Sequence, residues 1–182
     1  MQFEVDCFLW GTMDIRIVQG DITKLKVNAV VNAANNTLLG GGGVDGAIHH
    51  AAGPELLRHC CTLNGCDTGN AVITPGFNLP AQYIIHTVGP VWKGGTSNEA
   101  ALLAQCYRSC LKIAAHHGIA SVAFPAISCG IYGYPIHKAA DIALSTLYEE
   151  GQHYTLPDTL YIVCYNAEIA RAYGGAMSAF AA

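Results

Sequence analysis

The sequence predicts an α/β fold, a mixed and largely parallel sheet covered by helices on both faces. Three observations predict it. Short β-rich runs alternate along the chain with stretches of helical periodicity, the order expected of parallel strands joined by helical crossovers. The run VNAVVNA (27–33) is apolar enough to be a central strand. The chain has 182 residues, 52% of them hydrophobic and 12% charged, which suits one domain with a sizeable core and is too apolar for disorder. No apolar run approaches the roughly 18 residues of a membrane helix.

Residues 1–12, MQFEVDCFLWGT, carry Glu4 and Asp6 and no basic start, which argues against a signal peptide. Phe3, Val5, Cys7 and Leu9 alternate with more polar positions. The segment therefore reads as an N-terminal extension or an extra edge strand ahead of a single domain at 13–182. MDIRIVQG (13–20) and 27–33 read as strands. VDGAIHHAAGPELLRHCC (44–61) reads as helix, interrupted near Pro54. NAVITPG (70–76) and QYIIHTVGP (82–90) are the next strands. Thr96 and Glu99 have the spacing of a capping box. Behind them Leu103, Cys106, Tyr107, Cys110 and Ala114 share one helical face, with a stop at Gly118. SVAFPAI (121–127) is strand, and the loop SCGIYGY follows. Residues 135–150 read as helix, with Ile136, Ala139, Ala140, Ala143, Leu144 and Leu147 as the core face. TLYIVCY (159–165) is the last strand and 167–180 a closing helix.

The formal net charge is −4, with nine Lys and Arg and no cluster of them. A protein that grips nucleic acid through phosphates needs a basic face. An anionic ligand here would be held by neutral backbone N–H groups. Eight cysteines stand at 7, 60, 61, 66, 106, 110, 129 and 164, without a Cys-x-x-Cys pair. The chain is long enough not to need staples, so they read as reduced thiols of a cytoplasmic protein. Cys60, Cys61, Cys66 and His59 fit no usual zinc spacing, and neither a metal nor a cofactor is expected.

Ligands of such sheets bind beyond the carboxyl ends of the strands. Three loops follow strands there: GDIT (20–23), NAANNTLLGGGGVDG (32–46) and SCGIYGYP (128–135), with CYNAE (164–168) as a fourth short segment. Gly41, Gly43 and Gly46 satisfy G-x-G-x-x-G, but too far beyond their strand for a dinucleotide fingerprint. The acid expected about 20 residues on falls near Asp67, ahead of a strand. A nicotinamide oxidoreductase is therefore disfavoured, and the missing lysine excludes a P-loop. Four consecutive glycines are costly to order. They suit a place where backbone N–H groups approach a diphosphate with no Cβ between them, helped by a helix N-terminus. Gly130 and Gly133 repeat the device around Ile131 and Tyr132, although Gly133 by itself reads as a turn residue.

VVNAANNTLLGGGGVDGAIHHAAGPEL, GDITKL, IIHTVGPVW and FPAISCGIYGYP together resemble a macrodomain of the MacroD type, most nearly the bacterial O-acetyl-ADP-ribose deacetylases, over residues 13–173. The resemblance implies a three-layer α/β/α sandwich and ADP-ribose as the ligand. It implies that Asp21 accepts from the adenine amino group beside the backbone of Ile22, and that Tyr165 stacks on adenine. Gly41, Gly42, Gly43 and Val44 would line the phosphate and distal ribose, and Ser128, Gly130, Ile131 and Tyr132 would wrap the diphosphate through backbone amides. Asn35 and Asp45 match the pair that acts near the distal ribose. Cys129 departs from the threonine common among relatives, and residues 1–12 have no counterpart.

The implied activity is ester hydrolysis on that ribose. It removes acyl groups from O-acyl-ADP-ribose, or releases ADP-ribose from mono-ADP-ribosylated Asp or Glu of a protein. Neither nucleic acid nor membrane is an expected partner. Asp45 would orient or activate the water, unless the substrate phosphate is the base and Asp45 only positions the ribose. Asn35 would hold a ribose hydroxyl. Plainer readings stand beside these: Asp45 as a helix N-cap, Asn35 as a turn amide, Asp21 as the cap of a turn starting at Ile22, and Tyr165 as an end-of-strand aromatic. Asn32 reads as a tie between loop and strand end, His49 as a packing or surface residue, and His86 as a hydrogen-bonded core residue. The rival class is a non-catalytic ADP-ribose reader. Such readers often lack the Asn or the Asp, and both are present here.

Overall fold

A computed structural model describes residues 3–11 and 13–181. The elements run β1 (Phe3–Trp10), β2 (Met13–Gln19), β3 (Ala29–Ala33), α1 (Gly43–Ala52), α2 (Pro54–Cys61), β4 (Ala71–Pro75), β5 (Tyr83–Thr87), α3 (Glu99–His116), β6 (Ser121–Pro125), α4 (Ile136–Gly151), β7 (Thr159–Cys164) and α5 (Ala167–Ala181). A single 3-10 turn, Ile22–Lys24, separates β2 from β3.

The strands form one seven-stranded sheet in the order β1-β2-β7-β6-β3-β5-β4. The inner pairings are parallel, and only the edge strands β1 and β4 run antiparallel to their neighbours. Strand side chains alternate between faces, and both faces are apolar. Val30, Ile84, Ala123 and Val163 join a core with Ile48 of α1 and Leu56 of α2. Their neighbours Val31, Ile85, Phe124 and Ile162 join another with Leu103 of α3, Leu144 of α4 and Tyr173 of α5. The result is a three-layer α/β/α sandwich.

The helix expected at 44–61 divides at Gly53, whose φ of 85° lies in the left-handed region that favours glycine, and Pro54 opens the second helix. The capping box is absent. Asn98 precedes α3 without a side-chain cap bond. Glu99 is buried instead and collects the backbone N–H groups of Lys93 (2.8 Å), Gly95 (3.0 Å) and Ser97 (2.6 Å). Three loop donors converging on one carboxylate outweigh a single cap. Burial pushes the Glu99 pKa up, but these backbone hydrogen bonds hold it below its ordinary value. Among the described residues no helix is long and apolar enough to cross a membrane. None of the eight cysteines is in a disulfide.

The chain steps outward from β3 to β5 and then returns to β6 on the other side of β3. That reversal opens a crevice at the carboxyl ends of β3 and β6, where open α/β sheets place ligands.

Candidate active site

A cleft of about 890 Å³ occupies this crevice. Its wall contains the residues that the resemblance assigned to the ligand: Asp21, Ile22, Asn35, Gly41, Gly42, Gly43, Val44, Asp45, Ser128, Gly130, Ile131, Tyr132 and Tyr165. Gly20, Ala33, Ala34, Ala47, Gly89, Pro125, Ala126 and Val163 complete it. Most of these are the last residues of strands or the first beyond them. The carboxyl-end rule therefore contained the signal, although the sequence reading named only the loops. No Lys or Arg lines the cleft, and its charged side chains are Asp21 and Asp45.

The glycine run builds one wall. Gly43 has a φ of 61° and begins α1, and Gly42 is the N-cap without any side-chain cap bond. The first N–H groups of a helix have no intrahelical partner, and they carry the positive end of its dipole. Here that end lies in the cleft wall, with Gly42, Gly43 and Val44. Gly41 leaves close room for two side chains. A methyl group there would stand 3.1 Å from Asp45 Oδ2 and 3.3 Å from Asn35 Nδ2.

The 128–134 loop forms the facing wall. Tyr134 N–H donates to Ser128 O (2.9 Å) and Gly133 N–H to Gly130 O (3.0 Å), so Gly133 (φ 67°) closes a turn. Ser128 is buried at φ 65°, and its hydroxyl has no partner among the described residues. The Ile131 side chain reaches across, its Cδ1 3.1 Å from where a Cβ on Gly42 would lie. Ile131 and Tyr165 are 80% and 71% exposed, which leaves two apolar faces standing over an open cleft. Burial pushes the pKa of Cys129, beside Ser128, up to about 12, so its thiol is protonated at neutral pH.

Asp45 is not the helix N-cap. It sits in the first turn of α1, where its carboxylate favours the helix dipole. It is only 4% exposed. Its Oδ1 accepts from Asn32 Nδ2 at 2.8 Å, and Oδ2 lies toward Gly41. Asn32 therefore ties β3 to α1 rather than merely closing its own loop. The same Nδ2 is 3.0 Å from His86 Nδ1, and His86 Nε2 is 3.0 Å from Thr74 Oγ1. His86 is a hydrogen-bonded core residue as expected, and burial lowers its pKa to about 3. His49 is a packing residue as expected, and its Nε2 has no hydrogen-bond partner among the described residues. Its ring lies against Gly40, and its Nε2 is 3.5 Å from Asp45 Oδ1. The four-residue spacing from Asp45 was the available signal.

Asn35 makes turn contacts as well as lining the cleft. Its Nδ2 donates to Gly40 O (2.9 Å), and its Oδ1 accepts from Thr37 Oγ1 (2.7 Å). The amide has two donors, and the second has no partner among the described residues. Asp21 caps the 3-10 turn, its Oδ1 accepting from Thr23 N (2.9 Å) and Thr23 Oγ1 (2.7 Å). The cap reading of Asp21 therefore holds, and the residue still faces the cleft.

The N-terminal end of α1 stands in one wall, where a helix favours an anionic group. A buried carboxylate and an amide meet at the Gly41 end. The chain is similar to known proteins. The family model described as Macro domain matches residues 31–143. A Macro domain-containing protein of Methanosarcina mazei is 59% identical over 164 residues, covering 90% of this chain and 88% of that one. A Salmonella gallinarum protein named O-acetyl-ADP-ribose deacetylase is 54% identical, covering 89% of this chain and 93% of that one. The structure of an Oceanobacillus iheyensis macrodomain with ADP superposes with a TM-score of 0.93 at 41% identity, covering 100% of this chain and 98% of that one.

Proposed function

This chain belongs to the Macro domain family, and from that premise we propose that it is an ADP-ribose-binding hydrolase of esters on the distal ribose. Its substrates are O-acyl-ADP-ribose, O-acetyl-ADP-ribose first, and mono-ADP-ribosylated Asp or Glu on proteins. The observation that carries this reading is that Asp45 Oδ2 and Asn35 Nδ2 both lie beside the place where a side chain on Gly41 would begin, at one end of a cleft with no Lys or Arg. The relative named O-acetyl-ADP-ribose deacetylase and the neighbour holding ADP support the substrate class.

In this scheme the diphosphate lies between the N-terminus of α1 and the 130–132 amides, which supply donors without a salt-sensitive basic patch. The distal ribose reaches Gly41–Gly43. The remaining N–H of Asn35 holds a ribose hydroxyl, and Asp45 Oδ2 orients a water against the acyl carbon and accepts its proton. The water oxygen bonds to the acyl carbon, the bond from that carbon to the ribose oxygen breaks, and the ribose oxygen takes the proton. The products are the carboxylic acid and ADP-ribose. Tyr132 packs over the ribose, and Tyr165 stacks on adenine at the Asp21 end.

The test is a side-by-side assay of the purified chain on O-acetyl-ADP-ribose and on an automodified mono-ADP-ribosylated protein. Release of free ADP-ribose from both is expected. Turnover of the small ester alone would remove proteins from the substrate class, and tight binding with no turnover of either would make the chain a reader.

Asp21 selects the base. A hydrogen bond to a charged group contributes roughly 1.5–3 kcal/mol, so Asp21→Ala should weaken ADP-ribose about tenfold or more. The analogue with hypoxanthine in place of adenine has no exocyclic amine and should be weakened much less. Equal losses for both ligands in calorimetry would confine Asp21 to capping the 3-10 turn.

A further inference from the structure

Below Asp45 runs a chain of buried polar groups that crosses three strands and ends outside the cleft lining. Neither Thr74 nor His86 lines the cleft. Thr74 is 2% exposed, and both Asn32 and His86 are fully buried. In the sheet Asn32 lies opposite His86, and Thr74 is the diagonal neighbour of His86 on β4. We propose that Thr74 and His86 are positioning residues for Asp45, acting through Asn32 by fixing the direction of every hydrogen bond in the chain. The proposal rests on the reading of Asp45 as the reactive carboxylate.

The directions follow from the far end. The carbonyl of Pro75 can only accept, so the Thr74 hydroxyl donates to it (3.1 Å). Thr74 Oγ1 must then accept from His86 Nε2 (3.0 Å), which places the ring proton on Nε2. The ring stays neutral, because burial opposes its charging. His86 Nδ1 is consequently bare and accepts from the Asn32 amide (3.0 Å). The NH₂ group of Asn32, not its oxygen, therefore faces inward, and its second N–H meets Asp45 Oδ1 (2.8 Å). Asp45 receives a donor aligned by groups two and three hydrogen bonds away.

The structure bears an unfavourable feature in keeping this orientation. Asn32 Oδ1 is buried and has no partner among the described residues. Buried polar atoms are satisfied in the great majority of cases, so an orphan needs a reason. The reason is visible in the alternative. Turning the amide over would give its oxygen a partner if His86 carried its proton on Nδ1. It would also set that oxygen against the Asp45 carboxylate, acceptor against acceptor. The Thr74 hydroxyl favours the first arrangement, because its one proton goes to Pro75 O and it is left to accept the Nε2 proton. Remove the hydroxyl and the Nε2 proton is stranded against a methyl group. The ring then prefers the Nδ1 proton, the amide turns over, and Asp45 loses both its donor and its place.

Thr74→Val and Thr74→Ser separate these states. Valine keeps the shape and loses the hydroxyl, whereas serine keeps the hydroxyl. Three quantities are read: kcat on O-acetyl-ADP-ribose, ADP-ribose affinity by calorimetry, and the ¹⁵N shifts of the His86 ring. In the parent and in Thr74→Ser, His86 should be the neutral Nε2–H tautomer, with equal kcat. In Thr74→Val the ring should move to Nδ1–H and kcat should fall about tenfold to a hundredfold, the scale of a small misplacement in a reacting geometry. ADP-ribose affinity should hold, because the hydroxyl touches no part of the cleft. Parent-like kcat in Thr74→Val, or a lower kcat without the tautomer change, would overturn the proposal. So would an Nδ1–H or doubly protonated His86 in the parent, which needs no variant to fold. Full turnover by Asp45→Ala is a different result. It would sink the Asp45 reading, while the ring shifts would still decide the hydrogen-bond directions.

Discussion

Asp45→Ala should lower the rate of O-acetyl-ADP-ribose hydrolysis by about a hundredfold or more, the scale of a lost acid–base group, and leave ADP-ribose affinity nearly unchanged. The asymmetry comes from what each state contains. ADP-ribose lacks the scissile ester and needs no positioned water, so a group that acts on the water is felt in turnover and not in ground-state binding. Asp45→Asn is the stricter variant, since it keeps the shape of a residue buried against Asn32 and His49. Asn35→Ala should lose less rate and some affinity, because its amide holds the ribose of product as well as substrate. The double variant should lose less than the product of the single effects, since both residues act on one ribose and one water. Full turnover by Asp45→Asn in a stopped assay would transfer the base to the substrate phosphate.

The second large effect is on binding. Gly130→Glu should remove measurable ADP-ribose binding by calorimetry. Gly130 lines the cleft, and a Cβ there meets nothing within 4 Å. Its φ is not in the left-handed region, so the backbone accepts a side chain without strain. The variant should therefore fold with an unchanged melting temperature, and the loss can be assigned to the cleft. The glutamate would fill the space for the diphosphate and oppose its charge, with no Lys or Arg lining the cleft to compensate. Affinity equal to the parent would mean that the diphosphate is not held by the 130–132 amides.

Much of the fold was legible because the strands alternate strictly. Val30 and Val31 must face opposite layers, and both are apolar, so helices had to cover both faces. The site loops were legible for a related reason, since glycine and amide clusters stood where parallel strands end. What was illegible lay where one local pattern serves two purposes. Thr96 and Glu99 have capping-box spacing, yet the Glu99 carboxylate gathers three N–H groups of the loop before it. The start of α1 was read to within one residue, but a run of glycines carries no side chain to mark the cap, so the alternative of Asp45 as the cap gave way to a place inside the first turn. In the chain from Asn32 through His86 to Thr74 the structural roles of Asn32 and His86 were legible, but their pairing and the place of Thr74 were not. Its members are 54 and 12 residues apart in sequence and meet only through the pairing of β3, β5 and β4.

Hydrolysis of an ester on the distal ribose is read from acetate release by the purified, EDTA-treated chain acting on O-acetyl-ADP-ribose, followed over many equivalents of substrate. Repeated turnover to acetate and ADP-ribose is expected, insensitive to the chelator and greatly slowed in Asp45→Ala. Binding of ADP-ribose with no acetate released above the uncatalysed rate, or release that stops when the chelator is added, would contradict it.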